Sequence, residues 1–221
     1  MINVDANRKE FYKWFDKLLP EIDGADKLKS YIADRTDFFT APASRMYHLA
    51  EEGGLCEHTL NVLEETLQLV DKYINEQLTQ NERYYVDWQH IDKPDEYVEK
   101  YLNVTKAEII LAALVHDLCK CNLYKPATKN VKNAQGQWVE QKFYTHDEQF
   151  VFGHGAKSVY IVMCFCNQIS LDCATAIRYH MGGFENPGQI EPNVSTAYIQ
   201  CPLSLLLHIA DLYATFAIEK Y

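Results

Sequence analysis

Histidine and aspartate stand side by side at His116 and Asp117, at the end of the apolar run LAALV. Upstream lies His58 in EHTLNVL; downstream lie His154 in GHGAKS, His180 in IRYHMGG and Asp211 in HIADLYA. Imidazole nitrogens and carboxylate oxygens, with no thiolate, form a donor set that suits Mn²⁺, Fe²⁺, Co²⁺, Ni²⁺ or Zn²⁺ better than Ca²⁺. Each residue alone carries little. A lone histidine on an apolar helix face is usually a hydrogen-bonded core residue, and Asp211 alone fits a buried, satisfied carboxylate. Gathered in one place without a metal, several buried histidines and two aspartates would leave polar groups costing roughly 2–7 kcal/mol each when unpaired. The expected cofactor is therefore a divalent transition metal, as one ion or two.

Distant elements must bring these residues together. Phe11, Trp14, Phe15 and Leu18 repeat at three- and four-residue spacing before Pro20, and Leu28, Tyr31 and Ile32 follow before a break near Thr36. That pattern predicts two short helices. DFFTAPAS is a turn-rich, extended connection. Gly53-Gly54 opens a long predicted helix from Leu55 to about Gln80, with Leu55, Val62, Leu69 and Ile74 near one face. Residues 81–104 read as an exposed loop with a helical piece. Thr105 is placed to cap the next helix, with Ala107 and Glu108 second and third in it, and this helix runs into His116. The period then changes, and short β-prone runs around Asn133-Ala134-Gln135-Gly136 predict a small hairpin. Further helices are expected from Gly153 to about Asn167, Leu171 to Met181, and Pro202 to Lys220. The six candidate ligands thus come from five predicted helices. The expected fold class is all-α: a helical bundle with a small inserted β-hairpin, as an N-terminal helical arm over 1–36 packed on a core domain over 37–221.

With 221 residues, 48% of them hydrophobic, the chain can bury a full core. No apolar stretch approaches the roughly 20 residues needed to span a bilayer, and the polar opening MINVDANRKEFYKWF lacks the apolar run of a secretory signal. A cytoplasmic protein without a membrane partner is expected. The seven cysteines are odd in number, and Cys164, Cys166 and Cys173 fall in apolar helical stretches, which suits reduced thiols. Cys119 and Cys121 flank Lys120, but their spacing is not that of a zinc knuckle and no second pair completes four ligands. The net charge of −10 argues against a protein that holds duplex nucleic acid on a broad basic surface. It favours a small phosphorylated partner, and any basic patch for a short single strand would have to be local.

One histidine, then a His-Asp doublet, two more histidines in helical contexts and a late aspartate: this order resembles that of the HD-domain metal-dependent phosphohydrolases, from about Asp37 to about Thr215. The resemblance implies the HD-domain bundle and an octahedral site of His58, His116, Asp117 and Asp211. It implies a second ion on His154 and His180, with Asp117 bridging. Several branches of the family have a His-His pair where this chain has Tyr179-His180. HDLCK is similar to the HD-x-G-K form, with Cys119 in place of the usual glycine, and makes Lys120 a cation for a phosphoryl oxygen. Arg178 and Lys157 are further phosphate-binding candidates. His208, His146 and His90 match no position of the pattern.

The stretch APASRMYHLAEEGGLCEHT is similar to a segment of the HD-domain 3′-to-5′ exoribonucleases and of HD-type relaxase-like proteins. It holds Ser44, Arg45 and His48, which either approach substrate or pack the loop. The exoribonucleases carry an additional nucleic-acid-binding domain, for which this sequence has no room. The resemblance implies a hydrolase acting on a phosphoester of a nucleotide or similar small phosphorylated substrate. Asp117 and Lys120 would be the catalytic groups, the first orienting a water and the second offsetting charge with Arg178. Two other readings stay open: a single-strand-specific exonuclease or phosphodiesterase, and a metal-containing nucleotide sensor without turnover.

Overall fold

The structure, a computed structural model, describes residues 2–77, 94–148, 150–184 and 193–219. Among these, nine α-helices and one two-stranded sheet form. Chain order runs α1 (Val4–Phe15), α2 (Ala25–Arg35), α3 (Gly54–Gln77), α4 (Pro94–Leu102) and α5 (Lys106–Val115), then a 3₁₀ turn at Leu118–Lys120. An antiparallel hairpin of β1 (Tyr124–Lys132) and β2 (Trp138–His146) follows. Then come α6 (His154–Met163), α7 (Leu171–Tyr179), α8 (Val194–Gln200), α9 (Pro202–Tyr213) and a π-turn at Ala214–Ile218. The chain is mainly helical with a small hairpin, as its periodicity predicts.

The centre of the bundle is α5. Every residue from Ala107 to Val115 is buried, as expected of a helix that is apolar all round. Its start is secured by a reciprocal capping box. The Thr105 hydroxyl accepts from the Glu108 N–H, and the Glu108 carboxylate accepts from the Thr105 N–H. Around it, α3 packs on α5 and α9, while α7 packs on α5, α6 and α9. On α3 the buried stripe is Leu55, His58, Val62, Val70 and Ile74, while Leu69 is only half-buried. The N-terminal helices join the same core: Phe11, Phe15, Leu18, Leu28 and Ile32 are fully buried, and the Phe11 ring lies 4.8 Å from that of Phe38.

Several boundaries differ from those the sequence predicts. The long helix starts one residue earlier, at Gly54. The helix expected to reach Asn167 ends at Met163, and the one expected to reach Met181 ends at Tyr179, with His180 as its C-cap. The last helix gives way after Tyr213 to the π-turn, closed by the Glu219 N–H donating to the Ala214 carbonyl at 2.9 Å. Helix α8 was not expected. VSTAYIQ is rich in β-branched residues, and Asn193, at φ 70°, makes no side-chain capping bond. The loop expected over 81–93, with His90, lies outside the described residues, whereas its helical piece is α4. No single helix among the described residues is long and apolar enough to cross a membrane. All seven cysteines are free thiols.

Candidate metal centre

His58 sits in the first turns of α3, whose start is pressed against the loop before it. A Cβ on Gly54 would lie 2.1 Å from the Leu49 carbonyl oxygen, so only glycine lets the 41–49 loop close there. His116 caps the C-terminus of α5, and Asp117 leaves the helix at φ −105°, ψ 17°. The two side chains face one point because the helix stops between them. A continued helix would have splayed them about 100° apart. His154 opens α6 and His180 caps α7. These helices meet closely at Gly155, where a Cβ would stand 2.2 Å from the Arg178 carbonyl oxygen. Asp211 comes from α9.

The structure brings all six predicted ligands together. His58 Nε2 lies 3.5 Å from Asp117 Oδ2 and 3.2 Å from Asp211 Oδ1. His116 Nε2 lies 3.5 Å from Asp117 Oδ2, His180 Nε2 3.6 Å from Asp117 Oδ1, and His154 Nε2 2.8 Å from the same oxygen. Two clusters emerge, His58 with His116 and Asp117, and Asp117 with His154 and His180. Within each, the donor atoms lie within 4.8 Å of one another. Asp117 belongs to both.

Anchors at Nδ1 turn the Nε2 atoms of His58, His116 and His180 into the centre. His116 Nδ1 lies 2.8 Å from the Ala113 carbonyl and His180 Nδ1 2.7 Å from the Ile177 carbonyl. A carbonyl only accepts, so each Nδ1 carries the proton and each Nε2 presents its lone pair. His58 Nδ1 is anchored on the Glu219 carboxylate at 3.0 Å. The Nε2 atoms of His58, His116 and His180 are buried and have no hydrogen-bond partner among the described residues; the 3.2 Å approach of Asp211 to His58 is misaligned for one. Buried imidazole nitrogens without partners are costly; a cation in the first cluster would satisfy those of His58 and His116, and one in the second that of His180. The residues present therefore fit a metal ion.

His154 is arranged differently. Its Nε2 donates to Asp117, and its Nδ1 lies 3.3 Å from the Cys119 sulfur. Burial pushes the Cys119 thiol well above its ordinary value, so it stays protonated and serves as the donor to Nδ1. Moving the ring proton to Nδ1 would free Nε2 for a second ion.

Charge in the centre follows from what each group faces. Burial lowers His58, but the carboxylates of Asp211 and Glu219 outweigh it and lift the imidazole to about 9. His116 has no such anchor, and burial drives it down to about 4. Burial also lowers His154, whereas for His180 the Asp117 carboxylate overcomes burial and raises it. Asp117 would be raised by its burial, yet the Lys120 and His116 side chains hold it well below the usual carboxylate range. Lys120 Nζ stands 2.6 Å from Asp117 Oδ2, and that carboxylate, against burial, keeps it a firm cation.

The remaining candidates are placed as follows. Lys157 is buried and paired with Glu148 at 2.8 Å. Arg178 lies in the groove between α6 and α7, its guanidinium 5.0 Å from the Tyr179 ring centre. Arg45 is exposed, and its carbonyl accepts from the Tyr144 N–H of β2. Ser44 packs the loop, its hydroxyl donating to the His48 carbonyl at 2.7 Å. His48 is buried, with Nδ1 2.8 Å from Glu219 Oε2. His208 Nδ1 bonds the His180 carbonyl, and His146 lies at the end of β2.

Glu219 is the residue that sequence reasoning missed. It takes His48, His58 and Asn61 on one carboxylate and is held at about 2, those partners overcoming its burial. It forms a third cluster with the two histidines. Nothing in its local context, AIEK, marks it. No protein-family model, curated protein or solved structure matches the chain.

Proposed function

We propose that the protein is a metal-dependent phosphohydrolase of the HD-domain type, acting on a phosphoester bond of a nucleotide. One observation carries the reading: three buried imidazole Nε2 atoms and two carboxylates converge from four helices, in the order of residues that resembles that family. A divalent ion bound there supplies Lewis acidity and a water acidic enough to ionise near neutral pH.

The protein's own groups divide the remaining work. His58, His116, Asp117 and Asp211 would hold the first ion, and Asp117 would orient the attacking water. Lys120 offsets negative charge that builds on the phosphoryl oxygens. Substrate approaches from the side of His154, Asp211 and Lys120, whose side chains are 24%, 13% and 12% exposed, against 0% for His58, His116 and His180. His154 at that rim binds either a second ion or a non-bridging oxygen. The substrate is a small phosphorylated compound or the end of a short strand.

Elemental analysis of protein purified without chelator should find at least one transition-metal ion per chain. Metal-reconstituted protein should then release phosphate from nucleoside monophosphates or shorten a labelled oligonucleotide. Failure to retain any transition metal would overturn the reading, and metal retention without turnover on either class would replace it with the nucleotide sensor.

A further inference from the structure

Charge is spread unevenly outside the metal centre. Residues 124–146, the β1–β2 hairpin, carry Lys125, Lys129, Lys132 and Lys142 against the single acid Glu140. That is +3 in a chain of −10, which leaves −13 on everything else. The strand pairing sorts these residues. Tyr124 stands opposite His146, Pro126 opposite Tyr144, Thr128 opposite Lys142, and Lys132 opposite Trp138. Opposed side chains share a face and alternate along the strand. Tyr124, Tyr144, Lys142, Lys132 and Trp138 therefore line one face, with Glu140 its only acid, while Lys125 and Lys129 lie on the other face with Phe143.

This face is built as a strip. Trp138 is 69% exposed, and Lys132 Nζ lies 5.3 Å from its ring centre. At the other end the Tyr124 and Tyr144 rings are 6.3 Å apart. β1 starts at Tyr124, four residues beyond the 3₁₀ turn that ends in Lys120, whose Nζ lies 2.6 Å from Asp117 Oδ2. Nine paired residues span about 30 Å. An isolated two-stranded hairpin is marginal in water, and this one is tied at its base by the Tyr144 and Asp147 N–H groups, which donate to the Arg45 and Leu123 carbonyls.

An exposed Trp138 beside Lys132, with Lys142 and the half-buried Tyr124 and Tyr144 farther along, matches one kind of partner. Unpaired bases stack on exposed aromatic rings, and lysines follow the phosphates between them. A duplex keeps its bases stacked inside. Rings and lysines also suit a lipid interface, but this strip runs from Trp138 at the hairpin turn to Tyr124 beside the 3₁₀ turn of Lys120, a course that fits a strand end delivered to the metal centre. We infer that this hairpin face binds a single-stranded nucleic acid and leads its end to the metal centre. The second half of that statement rests on the phosphohydrolase reading; the first does not. It resolves the conflict between an acidic chain and a polynucleotide partner, because the basic surface is gathered on one arm.

The test is fluorescence anisotropy of a labelled ten-nucleotide phosphorothioate single strand titrated with the metal-loaded full chain. Lys132→Glu with Lys142→Glu should weaken binding at least tenfold and lower the slope of log affinity against log salt by about 1.4. Trp138→Ala should weaken it by about 5- to 100-fold. The charge-matched control Lys9→Glu with Lys27→Glu, on α1 and α2, should bind as the wild type does. All variants should keep the wild-type circular dichroism and metal content. Three results would each overturn the inference: wild-type affinity in the hairpin variant, a blunt duplex bound as tightly as the single strand, or binding to phosphatidylserine vesicles but not to the strand. A protein that binds the strand through the hairpin yet hydrolyses no phosphoester would sink the phosphohydrolase reading and keep the hairpin assignment.

Discussion

Glu219 and His58, 161 residues apart, meet in the buried interior with 3.0 Å between carboxylate oxygen and Nδ1. The contact fixes which nitrogen of His58 faces Asp117 and Asp211. It also ties the residue that caps the π-turn to the first turns of α3, and π-turns inside helices are frequent at functional sites.

Glu219→Gln keeps the size of the side chain but removes its charge. Orienting carboxylates of this kind typically contribute 10- to 100-fold to metal affinity. Chelator competition should show a loss in that range, with unchanged circular dichroism. Unchanged affinity would reduce Glu219 to a packing role for the last turn.

Asp117 stands within 3.6 Å of all four histidines of the centre and 2.6 Å from Lys120. Asp117→Asn removes the charge that balances them. Metal should be lost and turnover abolished while the helical content stays intact. A metal-loaded, fully active Asp117→Asn protein would refute its central role.

His154 and His180 decide between one ion and two. If they hold a second ion, changing either to Ala should leave about one ion bound while turnover falls sharply. If they only bond substrate, stoichiometry should not move and the loss should fall mainly on KM. The free Nε2 of His180 favours the first outcome. Wild-type protein that never exceeds one ion at saturating Mn²⁺ would decide for the second.

The metal-free protein should be most stable near pH 6.5. His58, raised to about 9, holds its proton more tightly folded than unfolded, so its contribution is complete below 6.5 and is lost as the pH rises through 9. His116, lowered to about 4, works in the opposite sense: the unfolded chain takes up its proton first as the pH falls below 6.5, and stability declines toward 4. Each effect is on the order of 1–3 kcal/mol. Glu219, held at about 2, loses its contribution only below that window, between about 4.5 and 2. A bound ion stands where the His58 proton stood, so metal should cancel the alkaline loss. Melting temperatures at pH 6.5 and 8.5, in chelator and in excess Zn²⁺, check this. A flat profile in chelator would contradict it.

The local signals were legible because they are local. The apolar period of α3, the Thr105–Glu108 capping box and the Gly-containing turn of the hairpin each depend on residues a few positions apart. The six candidate ligands were legible because their order along the chain resembles a known metal-binding pattern. Helix ends were less so: α6 stops at Met163 and α7 at Tyr179, short of the Asn167 and Met181 to which their patterns extend.

What the sequence determined, then, was the helical pattern, the hairpin and the identity of the six polar residues that need a partner. Tertiary structure alone decided that His116 and Asp117 face one point, because that depends on where α5 breaks. It also decided that His180 turns a bare Nε2 inward while His154 bonds Asp117 and Cys119, since each choice depends on the carbonyl or thiol beside the ring. Glu219 and the Trp138–Lys132 face of the hairpin belong to the same class. A carboxylate 161 residues from its histidine, and lysines sorted by strand register, acquire their meaning only through contacts between distant segments, and such contacts leave no periodic trace in the chain.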